Sequence, residues 1–221
     1  MVKPKAKRNG GWTLLELLIS LGLTGALLAS LGTSLRRSLS VYEATSRDLA
    51  LERRFERAVT MLSREFPNAA RTTLTPLPIQ VPGSPTAWMD RVEFRAVAGW
   101  NAGSPSLGGL IRVETRLEAG ETEDGTDEDG DGLVDERELV ITKDADTTQP
   151  RSYVLARGVP RWYPGESPDG SDENGNGLVD EPGFTIVIED ELLTFRLALR
   201  TVAPGGMVRT RTRSVQVLLG N

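Results

Sequence analysis

The chain contains no cysteine and no histidine. The first absence removes disulfides, thiolate nucleophiles and thiolate metal sites together. The second removes the usual proton shuttle and the commonest transition-metal ligand. Most hydrolytic and zinc chemistries are disfavoured with them. An enzyme is not expected, because the abundant carboxylates cluster in acidic loops, where metal binding competes with acid–base work. Surplus positive charge is also missing. The formal charge is −5, from 26 basic and 31 acidic residues, and Lys3, Lys5, Lys7 and Arg8 all stand near the start. Taking those four from the 26 leaves 22 basic residues against 31 acidic ones, a balance of −9. Such a body is a poor nucleic-acid binder, since phosphate affinity rests on Lys and Arg, and a good host for cations. Arg209, Arg211 and Arg213 alternate near the end of the chain and are expected to form one solvated, charged face of an edge strand. A length of 221 residues holds one medium domain plus an appendage.

That appendage is N-terminal. From Leu17 to Leu35 no residue is charged, and a helix of that length comes close to the ~30 Å of a bilayer core. The leader charges favour a cytoplasmic N-terminus. A secretory signal would end in a short polar cleavage region. Here a helical pattern continues instead, with Leu51, Phe55, Val59, Leu62 and Phe66 repeating every three or four positions until Pro67 stops it. Glu16 is a single carboxylate at the entrance of the apolar stretch, where a charge is costly and marks a functional position. Gly22, Gly25 and Gly32 suit close approach of neighbouring helices.

The residues Gly11-Trp12-Thr13-Leu14-Leu15-Glu16, between a basic leader and an apolar run, resemble the signal of type IV pilins and type II secretion pseudopilins. The resemblance implies cleavage after Gly11 by a prepilin peptidase, Trp12 as the methylated mature N-terminus, and Glu16 as partner of a neighbouring subunit's terminal amine. Pairing would neutralise two charges that lipid penalises separately. Trp12 stands where the family usually has Phe. The implied location is a single pass through the inner membrane, then a periplasmic or cell-surface filament of other pilins or pseudopilins.

Beyond Pro67, Pro76, Pro78, Pro82, Gly83 and Pro85 read as a loop, and the periodicity turns strand-like. Candidate strands are 92–97, 110–117, 139–143, 153–157, 184–189, 192–200 and 208–219, with Asp190-Glu191 as a two-residue hairpin. The fold class is therefore α+β: a leader at 1–11, a helix over 12–66 that is first hydrophobic and then amphipathic, and a β-rich domain over 67–221 on which its second half packs. A pilin-like fold has the same architecture. The opening GWTLLELLIS and the closing RTRTRSVQVLLGN are similar to W-type minor pilins, and the size and the Val-Glu-Phe-Arg strand fit these or J-type minor pseudopilins equally. That resemblance implies a low-abundance subunit priming or capping assembly at a filament tip. Trp88, Trp100, Trp162 and Tyr163 are candidates for anchoring a partner such as a tip adhesin, core packing being the equal alternative. A membrane-anchored calcium-binding module that never polymerises is the reading from another class.

An internal repeat carries the remaining chemistry. Asp124 to Glu136, DGTDEDGDGLVDE, recurs as Asp169 to Glu181, DGSDENGNGLVDE, with ten of thirteen positions identical. Calcium takes six to eight oxygens from alternating carboxylates, amides and a backbone carbonyl, with a glycine at the sharp turn. Within the first loop, 124–138, Asp127, Asp129 and Asp131 fall at ligand positions 1, 3 and 5, Gly132 at 6, the carbonyl of Leu133 at 7, Asp135 at 9 and Glu138 at 12. The second loop, 169–183, offers Asp172, Asn174, Asn176, Leu178 and Asp180, but has Gly183 at position 12. Weaker binding is expected there unless Asp169 or Glu181 folds in. Both loops resemble calcium loops of the EF-hand and thrombospondin type 3 kind without flanking helices, and the first is expected to cap a hairpin.

Overall fold

The structure, a computed structural model, describes residues 13–75, 86–101, 103–203 and 205–219. The leader, with Gly11 and Trp12, and the loop prolines Pro76, Pro78, Pro82 and Pro85 with Gly83 lie outside the described residues. Helix α1 runs Leu14–Glu65. Eight strands follow: β1 Trp88–Met89, β2 Arg91–Asn101, β3 Ser104–Leu117, β4 Arg137–Lys143, β5 Arg151–Val159, β6 Phe184–Glu189, β7 Leu192–Val202 and β8 Val208–Leu218. The chain divides into two compact units, Met1–Thr45 and Ser46–Asn221.

In the first unit α1 opens on a reciprocal cap. The Thr13 backbone N–H donates to Glu16 Oε2 at 2.9 Å, and the Glu16 N–H donates to Thr13 Oγ1 at 3.3 Å. This capping box satisfies donors that a helix start leaves open. Ser20, Thr24 and Thr33 fold their hydroxyls back onto carbonyls one turn earlier, which lets an apolar helix carry polar residues without unpaired groups. The segment is long and apolar enough to cross a membrane, and none of its spanning window is buried.

The second unit is a pair of antiparallel four-stranded sheets, with orders β2-β3-β4-β5 and β1-β6-β7-β8. Alternation sets the faces: Val92 and Phe94 on β2, Ile111 and Val113 on β3, and Leu193, Phe195 and Leu197 on β7 point into one core. The helical residues Leu51, Phe55, Ala58 and Leu62 join it, as the three-to-four spacing predicts, while Val59 is only partly buried. Each fully buried side chain of this kind contributes about 1.5–3 kcal/mol. Pro67 ends the helix in a single 3-10 turn, Phe66–Asn68. Phe66 is thereby set between the sheets, with ring centroids 5.1 Å from Phe94 and 6.5 Å from Phe195. Between β6 and β7, Glu189 pairs with Leu192. Asp190 supplies the left-handed backbone of that turn, at φ 54°, which an aspartate tolerates better than most residues.

The arginines of β8 stay exposed on an edge strand, and they also pair with the helix. Arg209 and Arg211 reach Asp48, and Arg213 pairs with Glu52 and Glu56. Positions 48, 52 and 56 form one stripe along the helix, and 209, 211 and 213 one face of the edge strand, so two different periodicities register in a charge ladder. Arg213 also lies over the Phe55 ring, 5.8 Å from its centroid.

Candidate metal centre

The first acidic loop joins β3 to β4, capping a hairpin within one sheet as expected; the second joins β5 to β6 and carries the chain from one sheet to the other. Their internal hydrogen bonding is nearly superposable. Gly132 N–H donates to Asp127 Oδ2 at 2.9 Å, and Gly177 N–H to Asp172 Oδ2 at 2.8 Å. Leu133 N–H donates to Asp131 Oδ1 at 2.8 Å, and Leu178 N–H to Asn176 Oδ1 at 3.0 Å. Asp131 N–H donates to Asp129 Oδ1, and Asn176 N–H to Asn174 Oδ1. Gly132 and Gly177 both take positive φ, 89° and 87°, a conformation open chiefly to glycine. Leu133 and Leu178 are buried anchors in both copies. Of the adjoining valines, Val179 is buried but Val134 is half exposed.

Two overlapping carboxylate groups form in the first loop, each with ligand atoms within 4.8 Å of one another: Asp127, Asp129 and Asp131, all exposed, and Glu121, Asp129 and Glu136, of which both glutamates are buried. Acidic residues able to hold a metal ion therefore converge here. Two residues of the spacing pattern go elsewhere. Asp135 Oδ1 accepts the backbone N–H groups of Asp124 and Gly125 at 3.0 Å each, and Asp180 does the same for Asp169 and Gly170. Each fastens its loop's two ends together from a left-handed backbone, at φ 50° and 51°. Glu138 stands inside β4 and pairs with Arg116 at 2.7 Å, with Arg157 at 3.7 Å from its other oxygen. Position 12 of the spacing pattern thus falls on a residue that two arginines engage. Glu136 stands just before β4, buried with the loop and without a partner, whereas Glu138 lies within the strand and meets the arginines.

Gly183, position 12 of the second loop, is fixed by sterics. A Cβ there would lie 2.1 Å from the Pro160 carbonyl oxygen. In this loop Glu181 does fold in, accepting from the side-chain amides of Asn174, at 3.1 Å, and Asn176.

Electrostatics follow from burial. Glu136 is 1% exposed with neither carboxylate oxygen hydrogen-bonded. Burial pushes its pKa up to about 7, with Asp131, Glu121 and Glu118 raising it further. Burial also raises Glu121, against the N–H groups of Glu128 and Asp129 that donate to its Oε1. In the second loop burial raises Glu166 to about 7. Glu121 and Glu136 are the residues the spacing pattern did not assign as ligands. The signal was present, since Gly120-Glu121 matches Gly165-Glu166 just before the thirteen-residue window, and Glu136 matches Glu181 within it.

Trp88 donates its indole N–H to the Val179 carbonyl at 3.0 Å and so braces the second loop. Trp162 carries Arg161 over its ring at 5.4 Å and bridges to Pro182. Trp100, 68% exposed near the β2–β3 turn, remains open to a partner. In comparisons with protein-family models, curated proteins and solved structures, no match to this chain was found.

Proposed function

We propose that this chain is a minor subunit of a type IV pilin-like filament, held in the inner membrane by its N-terminal helix before assembly and acting at the tip, with an acidic loop that takes Ca²⁺. The observation that carries the reading is the character of α1. Its large apolar side chains are exposed from Leu14 through Leu35, whereas Leu51, Phe55, Ala58 and Leu62 of the same helix are built into the β-domain core. An apolar surface of that length needs lipid or other helices around it. Gly22, Gly25 and Gly32 present open space where a neighbouring helix can approach. The long cysteine-free body with its two loops favours a specialised subunit over the repeating shaft, and a secretion pseudopilus is served by the same features. Calcium fits because the converging donors are all hard oxygens.

The capping box favours one second reading. Glu16 already has an intrahelical role in closing on Thr13, as it would in a membrane-anchored calcium module that never polymerises. Glu16→Gln separates the two, because glutamine still serves a capping box but cannot neutralise a terminal amine. In the filament reading Glu16→Gln stays in the membrane and disappears from sheared filaments and from crosslinks to other pilins. Unchanged crosslinks and filament recovery would refute that reading. Co-expression with a prepilin peptidase, followed by mass spectrometry, should show a chain beginning at methylated Trp12, and Gly11→Ala should block the cut.

A further inference from the structure

Both loops share a backbone, yet their buried glutamates are partnered to different degrees: one oxygen of Glu181 and neither of Glu136 is hydrogen-bonded. In the second loop Glu181 Oε1 receives two carboxamide donors, from Asn174 and Asn176, while its Oε2 and Glu166 Oε2 stay buried without a partner. In the first loop the equivalent residues are Asp129 and Asp131, which have no donor to give, and both oxygens of Glu136 stand buried and unpartnered beside the unpartnered Oε2 of Glu121. Buried carboxylate oxygens without a donor carry a large desolvation cost. Glu121, Asp129 and Glu136 have ligand atoms within 4.8 Å of one another, a spacing an oxygen-coordinated calcium-sized cation can span.

We propose that the first loop takes its divalent, oxygen-seeking cation on the buried Glu121 and Glu136 with Asp129, and that the second loop closes without a cation because the Asn174 and Asn176 amides stand in for it. This rests on the reading that the first loop binds calcium, and reassigns which residues hold it and how many ions the chain takes. Asp129 belongs to both carboxylate groups and links the buried ligands to Asp127 and Asp131. Two Asp-to-Asn differences thus give Glu181 Oε1 two amide donors on the scaffold where Glu136 has none. Glu138, occupied by Arg116, is not a ligand.

The test is calcium titration calorimetry on the full chain in detergent micelles after chelator stripping, with circular dichroism to verify folding. One ion per chain is expected. Glu136→Gln should weaken binding by at least about tenfold, the low end for losing even a residue that merely orients a ligand, while Glu138→Gln leaves it unchanged. Asp129→Asn with Asp131→Asn, which copies the second loop into the first, should abolish binding and keep the fold without metal. Asn174→Asp with Asn176→Asp should raise the stoichiometry to two. Two ions in the unaltered chain, or loss of binding in Glu138→Gln with none in Glu136→Gln, overturns this assignment and leaves the calcium reading standing. No calcium binding by the unaltered chain overturns both.

Discussion

Restoring the carboxylate that the second loop lacks is the sharpest way to set spacing against geometry. If ligand spacing governed, Gly183→Glu would complete position 12 and tighten calcium binding. The structure gives the opposite expectation. A Cβ at 183 would sit 2.1 Å from the Pro160 carbonyl oxygen and 3.0 Å from two of its ring carbons. Two backbone hydrogen bonds hold the glycine in place, from Gly183 N–H to Arg161 O at 3.2 Å and from Ala198 N–H to Gly183 O at 2.7 Å. Overpacking costs about 1–3 kcal/mol, and straining two such bonds adds up to about 1 kcal/mol each. A loss of roughly 1–5 kcal/mol lowers the melting temperature by roughly 2–20 °C in a domain of this size. Gly183→Ala should show most of the loss, because the clash is at Cβ rather than at the carboxylate. Thermal unfolding by circular dichroism, with and without calcium, measures both variants. Should Gly183→Glu melt with the unaltered chain and bind an additional calcium ion, the steric argument is refuted.

Other perturbations probe the body. Phe66 is fully buried between Phe94 and Phe195, so Phe66→Ala should cost about 3–5 kcal/mol, read from denaturant unfolding; a loss near zero would mean the two sheets do not close on it. Along the charge ladder, Arg213 and Glu52 are each more than a third exposed, so a double-mutant cycle between them should return a coupling of only about 0.2–1 kcal/mol, shrinking in salt. Glu93 is held below the usual carboxylate range by its hydrogen bond to Arg91, with Arg112 adding to it. Its contribution is therefore complete above the ordinary glutamate pKa and lost as pH falls through the lowered one. Glu93→Gln should flatten the acid limb of the stability profile below about pH 4.5 and leave the neutral range parallel to the unaltered chain.

Much of the architecture was legible because it is local. Val92 and Phe94 alternate as a half-buried strand must, and Leu51 to Phe66 repeat as a helix face must, so the seven strand segments and the second half of α1 follow from periodicity alone. The division into two sheets did not follow, since pairing between distant strands leaves no trace in either strand's own pattern. The two-residue β1 is too short for any alternation to register. The arginine ladder was half visible: the strand's period of two showed, but its acidic partners lie on the helix more than 150 positions away. In the loops, the repeat marked the region where carboxylates converge, while the spacing put its last position on a residue that arginines engage. The EF-hand frame presumes a helix after the loop, which would bring position 12 back to the ion. Here a strand follows instead: Glu136 stays buried at the end of the loop, and Glu138 within β4 is engaged by Arg116.

The placement of the loops gives that difference a purpose. The first decorates the β3–β4 hairpin, whose strands are paired directly from Leu117 with Arg137 onward whatever the loop between them does. The second runs from the β2–β5 sheet into the β6–β8 hairpins, which are joined to the first sheet again through β1 and Asp90, and its Val179 and Leu178 are buried. A cation required there would make closure of the two sheets over Phe66 dependent on calcium. Under the proposed assignment, carboxamides at 174 and 176 remove that dependence and leave the cation to order an exposed loop on a core already formed. Limited proteolysis should follow the same division. Chelation should open the first loop to cleavage near the exposed Asp127 to Asp131 and leave the second resistant; equal opening of both would mean that the second loop also needs a cation.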